Sequence, residues 1–213
     1  MEINCEIFKI FDNFLNDNEI KILTNIINNK LWSYNTTSGN SEIINTFFGN
    51  HKLEESFFME YLKSKIDSEI NNFLYICTCK TPTCNEVLSV KSYPECRREV
   101  CNCLKQKYTI QINRMYMHMQ NYGEDGCYHC DDIGKDKLTF CIYLNDINHD
   151  EIENASGELF LKIPKKKNII CIDSYFNRAI LFQSEYLHKG MAYKKYHNKR
   201  ICITWKLQLI EMK

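Results

Sequence analysis

The chain lacks three things. No apolar run in its 213 residues approaches the roughly 20 that a membrane span needs, so no membrane partner is expected. Nor is there an excess of charge: Lys plus Arg and Asp plus Glu stand at 27 each, without the basic surplus of a duplex-binding protein, and nucleic acid is not an expected partner. The start, MEINCEIFKIFDNF, has acidic residues where a signal peptide has a basic and then apolar stretch, which makes a cytoplasmic setting the expectation. What is present is an ordinary globular composition, 44% hydrophobic and 25% charged, of a length that buries one core. Twelve cysteines are the anomaly, because thiols in a reducing compartment suit metal or redox roles better than bridges.

Helical periodicity dominates the first third. After a short strand and turn over Glu6 to Leu15, a helix is expected from about Asp17, with Asn16 or Asp17 as its N-cap. Ile20, Leu23, Ile26, Ile27 and Leu31 form its apolar face. A second helix, about Glu54 to Leu74, carries a stripe of Phe57, Phe58, Tyr61, Leu62, Ile66, Ile70, Phe73 and Leu74. Both stripes suit covering a sheet rather than chemistry.

From Thr109 the period changes. Short alternating segments follow at Thr109 to Met119, Lys137 to Leu144, Glu158 to Ile163, Asn168 to Ile172, Arg178 to Gln183 and Arg200 to Leu209. Many short strands behind two covering helices point to a β-sandwich or jelly roll. In the second segment Leu138, Phe140, Ile142 and Leu144 share one face, and Thr139, Cys141 and Tyr143 the other. In the last, Ile201, Ile203, Trp205, Leu207 and Leu209 alternate with Arg200, Cys202, Thr204, Lys206 and Gln208. Such strands lie between a core and a polar cavity, which Tyr143 and Arg200 would line. One domain, 1–213, is therefore expected: a helical part to about 75, a cysteine-rich insertion over about 76–107 and a strand-rich core over about 108–211.

The insertion holds Cys77, Cys79, Cys84, Cys96, Cys101 and Cys103, spaced C-x-C-x4-C and then C-x4-C-x-C. Structural zinc, disulfides and unbonded thiols all remain open, since zinc sites commonly use C-x2-C pairs.

The chemistry gathers at Tyr128-His129-Cys130-Asp131. Two residues apart on an extended segment, His129 and Asp131 leave one face together, while Cys130 points away. With His188 as a third ligand, two imidazoles and a carboxylate leave one side of an ion open, the arrangement of non-haem iron(II) oxygenases. Alone, H-x-D is common by chance, and His188 read by itself is as well placed in a core. Cys127 and Asp132 read as flanking residues, and His51, His118, His149 and His197 have no partner spacing that would make them ligands.

The series HCD, TFCIYLN, SGELFL, FNRAILFQSEYLH and RICITW, in that order, resembles the iron(II)/2-oxoglutarate-dependent dioxygenases and, within them, the prolyl hydroxylase-like branch. The resemblance runs from about Asn113 to Leu209 and implies an α+β, mainly β fold: a double-stranded β-helix (jelly roll) backed by N-terminal helices. It makes His129, Asp131 and His188 the catalytic iron ligands and places Arg200 and Tyr143 on the distal carboxylate of 2-oxoglutarate. It also puts Tyr122 beside the pocket, although the loop from Tyr122 to His129 is shorter than in many relatives. Iron(II), 2-oxoglutarate and O2 are implied, with ascorbate as reductant and a protein or peptide substrate containing proline. Two competitors are an AlkB-type nucleic-acid demethylase and a non-catalytic metal-binding jelly roll that serves as an interaction module. RICITWKLQ lacks the second arginine usual in the first, and a binding module has no need of a cosubstrate anchor. The polar loop Asn145 to Ser156 and the basic loop Lys189 to Lys199 could close over substrate or simply be solvated.

Overall fold

A computed structural model of the chain describes residues 7–29, 32–37, 46–50, 57–73, 108–145, 149–152, 155–164 and 166–211. Its elements run β1 (Phe8–Phe11), α1 (Asp17–Asn28), β2 (Ser33–Thr37), β3 (Thr46–Asn50), α2 (Phe57–Phe73), β4 (Tyr108–Gln120), β5 (Lys137–Tyr143), α3 (His149–Ile152), β6 (Leu159–Lys162), β7 (Ile169–Ile172), β8 (Ala179–Gln183), β9 (Leu187–Gly190) and β10 (Arg200–Glu211). The proposed cysteine cluster, Cys77 to Cys103, lies outside the described residues.

Helix α1 begins where the sequence asks. Asn16 is the N-cap: its side chain accepts from the N–H groups of Asn18 and Glu19 (both 3.0 Å), and Glu19 returns a bond by accepting from the Asn16 N–H at 2.7 Å. Glu19 also takes the Lys65 ammonium at 2.7 Å, which ties α1 to α2. Asp67, two residues further along α2, accepts from the Ile110 N–H (2.8 Å) and from the Thr109 hydroxyl (3.2 Å), fixing α2 to the first long strand. Leu23 and Ile27 of α1, with Leu62, Ile66 and Ile70 of α2, are buried, whereas Tyr61, placed on the apolar stripe by periodicity, is exposed.

Seven strands make one antiparallel sheet in the order β1-β8-β5-β10-β4-β3-β2, and three make a second, β7-β6-β9. The helices pack on the outer face of the large sheet, where Phe140, Ile142, Leu181, Ile203, Trp205 and Leu207 meet Leu23, Leu62 and Ile66. Between the sheets a smaller core joins Ile180, Phe182, Leu159, Leu161 and Ile172. Two antiparallel sheets with a filled interior and helices behind the larger one make a double-stranded β-helix, as the resemblance implied.

The first 75 residues are not helical throughout. They also contribute β2 and β3, which extend the large sheet beyond β4. SYNTT and TFFGN are too short and too weakly alternating to announce themselves as strands, and pairing with β4 supplies what their own pattern lacks. Asn177, in the left-handed region at φ 61°, locks the opposite edge. Its side chain accepts from the Leu15 N–H and donates to the Leu15 carbonyl, both at 2.7 Å.

Candidate active site

Residue parity carries the site. On β10, Ile203, Trp205 and Leu207 face the helices, so Arg200, Cys202, Thr204 and Lys206 face the interior between the sheets. The register then defines a floor. Arg200 lies opposite Gln120; Cys202 has His118 on one side and Tyr143 on the other; Thr204 has Tyr116 and Cys141; Lys206 has Thr139.

Over one end of this floor, the structure brings together the three residues expected as ligands. His129 and His188 exchange backbone hydrogen bonds in an isolated antiparallel bridge (3.0 and 2.9 Å), which sets their rings 4.5 Å apart. Asp131 follows on the same face, its N–H donating to the Ser184 carbonyl at 2.9 Å. Cys130, between them, is exposed, with its thiol donating to the Glu185 carbonyl. One ligand atom from each of His129, Asp131 and His188 lies within 4.8 Å of the others.

The imidazoles are oriented from behind. His129 Nδ1 lies 2.9 Å from the Cys127 carbonyl and His188 Nδ1 lies 2.8 Å from the Tyr186 carbonyl. A carbonyl only accepts, so each Nδ1 carries its proton, and in the neutral ring Nε2 is left with a lone pair. Those two Nε2 atoms face the Asp131 carboxylate at 3.5 and 3.3 Å. Three electron-rich atoms directed at one another call for a cation between them, and two imidazoles with one carboxylate match a non-haem iron(II) ligand set. The residues present therefore fit such an ion.

Asp131 is held firmly. Thr139 Oγ1 donates to its Oδ2 at 2.6 Å and also contacts Ser184 Oγ at 2.9 Å; the Lys206 ammonium pairs with the same Oδ2. Burial alone would raise the carboxyl's pKa, but the Lys206 charge, with hydrogen bonds from the two histidines whenever they are protonated at Nε2, outweighs it and holds Asp131 well below the usual carboxylate range. His129 moves the other way: burial opposes its proton, yet the bonds to Asp131 and to the Cys127 carbonyl raise its pKa.

At the far end sits Arg200, 2% exposed, a cation that only a built setting tolerates. Its Nε donates to the Gly157 carbonyl (2.8 Å), Nη1 to Gln120 Oε1 (2.6 Å) and Nη2 to Tyr143 Oη (3.2 Å). Guanidinium has five N–H donors, so one on each terminal nitrogen has no partner among the described residues. Two glycines make room. A Cβ on Gly190 would stand 2.8–2.9 Å from the guanidinium, and one on Gly157, at φ +96°, would stand 2.2 Å from the Tyr193 ring.

Sequence comparison agrees with this arrangement. Residues 117–206 match the model of the 2OG-Fe(II) oxygenase superfamily. Over those residues, the chain is similar to that superfamily. The chain shares its fold with several solved structures. One is a prolyl hydroxylase from Trichoplax adhaerens in complex with a hypoxia inducible factor oxygen degradation domain peptide fragment: 18% identity, TM-score 0.59, covering 97% of this chain and 86% of that one. A Pseudomonas putida prolyl-4-hydroxylase matches at 11% identity and TM-score 0.58, covering 95% of this chain and 92% of that one. A viral collagen prolyl hydroxylase from Paramecium bursaria Chlorella virus-1, solved as a 2OG complex, matches at 17% and 0.52, covering 94% and 96%. No curated protein matches the chain.

Tyr122, expected beside the pocket, is not brought to the site. It is 55% exposed, and its ring stacks edge-on against Tyr196 at 6.3 Å. Tyr116, His118 and Gln120 keep the inward parity of β4, but the strand ends at Gln120, and Tyr122 sits in the turn that Gly123 completes at φ +81°. Glu124 braces the turn by accepting from the Asn121 N–H at 2.6 Å. Sequence reasoning missed Gln120, Gly157 and Thr139 as supports, and Lys206 as the partner of Asp131. Lys206 did carry a signal, because it alternates in phase with Arg200. The acidic and basic loops meet through Lys195–Glu151 (3.3 Å), while Lys194 pairs with Asp125 (2.7 Å) ahead of the ligand segment.

Proposed function

We propose that this oxygenase hydroxylates a prolyl residue in a protein or peptide, with His129, Asp131 and His188 holding iron(II) and Arg200 and Tyr143 anchoring the distal carboxylate of 2-oxoglutarate. Arg200 carries the reading: a buried guanidinium, pinned by three partners from separate parts of the chain, with two N–H groups left over in the fork geometry that suits a carboxylate. Bound iron would supply the activation of dioxygen and the oxidative decarboxylation of 2-oxoglutarate to succinate.

The protein's share is positional. The Cys127 and Tyr186 carbonyls hold the tautomers, Thr139 and Lys206 take one oxygen of Asp131, and the inner core of Ile180, Phe182, Leu159 and Leu161 limits water. A prolyl substrate is favoured by the solved relatives that are prolyl hydroxylases, one of them bound to a peptide.

Proline-containing peptides incubated with iron(II), ascorbate and 2-oxoglutarate should each gain one oxygen by mass spectrometry, with matching succinate. His129→Ala and Asp131→Ala should reduce both to background. Undiminished turnover in those variants would defeat the ligand assignment, and oxidised oligonucleotide without oxidised peptide would redirect the substrate.

A further inference from the structure

On the floor described above, one polar side chain has no role. His118 lies opposite Cys202 on β4, as Tyr143 does on β5, and all three share the inward parity of their strands. Directly paired residues on neighbouring strands hold their side chains about 5 Å apart, so His118 and Tyr143 flank the Cys202 position from opposite sides. Arg200 and Gln120 form the next rung.

Along β10 the rung of Cys202 and His118 lies between Arg200 and Lys206, the partner of Asp131, and the charges of Arg200, Lys206, Asp131 and His129 all act on the ring. That interval is the one a diacid must cross if one end sits at Arg200 and the other at the metal. Tyr116 packs near the imidazole, ring centres 5.9 Å apart, but no hydrogen bond satisfies either ring nitrogen among the described residues. Desolvation, reinforced by the charges of Arg200 and Lys206, pushes its pKa down to about 3, so the ring is neutral at physiological pH and offers one N–H.

We infer that His118 is a cosubstrate-contacting residue, donating a ring N–H to the diacid held by Arg200 and Tyr143 from the side of the pocket opposite Tyr143. This rests on the proposed reading of Arg200 and Tyr143 as the diacid anchor. It differs from the ligand cluster in chemistry, since His118 is not among the residues whose donor atoms converge.

The test is calorimetric titration of 2-oxoglutarate into manganese(II)-loaded full-length protein, which binds without turning over. His118→Leu should weaken binding about tenfold, the scale of one hydrogen bond to a charged group, while His118→Gln, which restores an N–H donor, should stay within about threefold of wild type. Manganese(II) affinity should be the same in all three proteins. Leu binding as tightly as wild type would overturn the inference, and so would Gln losing as much as Leu, which would assign the residue to packing. If wild type binds no 2-oxoglutarate, or Arg200→Leu binds it normally, the anchor reading fails and this inference falls with it.

Discussion

The two faces of the large sheet are made by the same strands and obey opposite rules. Toward the helices, Phe140, Ile203, Trp205 and Leu207 form a dry core. Toward the second sheet, Thr139, Tyr143 and Arg200 are just as enclosed, and Lys206 is partly so, but all four are hydrogen-bonded or ion-paired. Burial is therefore not what distinguishes core from site; satisfaction is. An apolar residue is stabilised by any close-packed neighbour, whereas each inward polar group depends on named partners from distant segments, as Arg200 does on Gln120, 80 residues away.

That contrast predicts that substitutions sort by parity. The largest effect belongs to the outer face: Trp205→Ala should cost about 3–5 kcal/mol in urea unfolding, through lost burial and a cavity, while the folded fraction keeps its affinity for 2-oxoglutarate. Trp205→Phe should cost much less, because the indole N–H is buried without an acceptor among the described residues. On the inner face, Gly190→Ala pushes a methyl against the guanidinium and should weaken 2-oxoglutarate binding about tenfold by calorimetry, with metal affinity unchanged. Thr139→Val keeps shape but removes the bond to Asp131 and should lower metal affinity about tenfold, read by competition with a chelator.

The smallest effect is one of pH. An imidazolium cannot ligate, and His129 retains its proton above the ordinary 6.5, so metal affinity should still be rising as pH passes that value, by no more than about tenfold per pH unit for one proton. The Asp131 carboxyl, held low, should contribute no such slope until acid pH. A flat profile from pH 6 to 8 would show that the His129 proton does not compete with metal. Equal losses of stability on both faces, with no divergence in binding, would erase the contrast itself.

Much of this was legible in the sequence. The alternation in β5 and β10 assigned faces correctly residue by residue, and Asn16 with Glu19 marked the start of α1. What escaped had a physical reason. β9 is only four residues, LHKG, too short to show a period, although it carries His188. Gln120 and Thr139 owe their positions to register between strands far apart in sequence, which one strand's pattern cannot encode. Tyr122 was placed by motif likeness, and a tight turn undid it.

The ion pairs around the loops have a consequence of their own. Lys194–Asp125 and Lys195–Glu151 are largely solvent-exposed, unlike the enclosed contacts of Arg200 and Lys206 beneath them. Dissolved salt weakens exposed pairs and scarcely reaches enclosed ones. Raising ionic strength should thus loosen the ties between these loops while leaving the Arg200 and Asp131 contacts intact, making loop mobility, rather than the inner polar contacts, the property that responds to the medium.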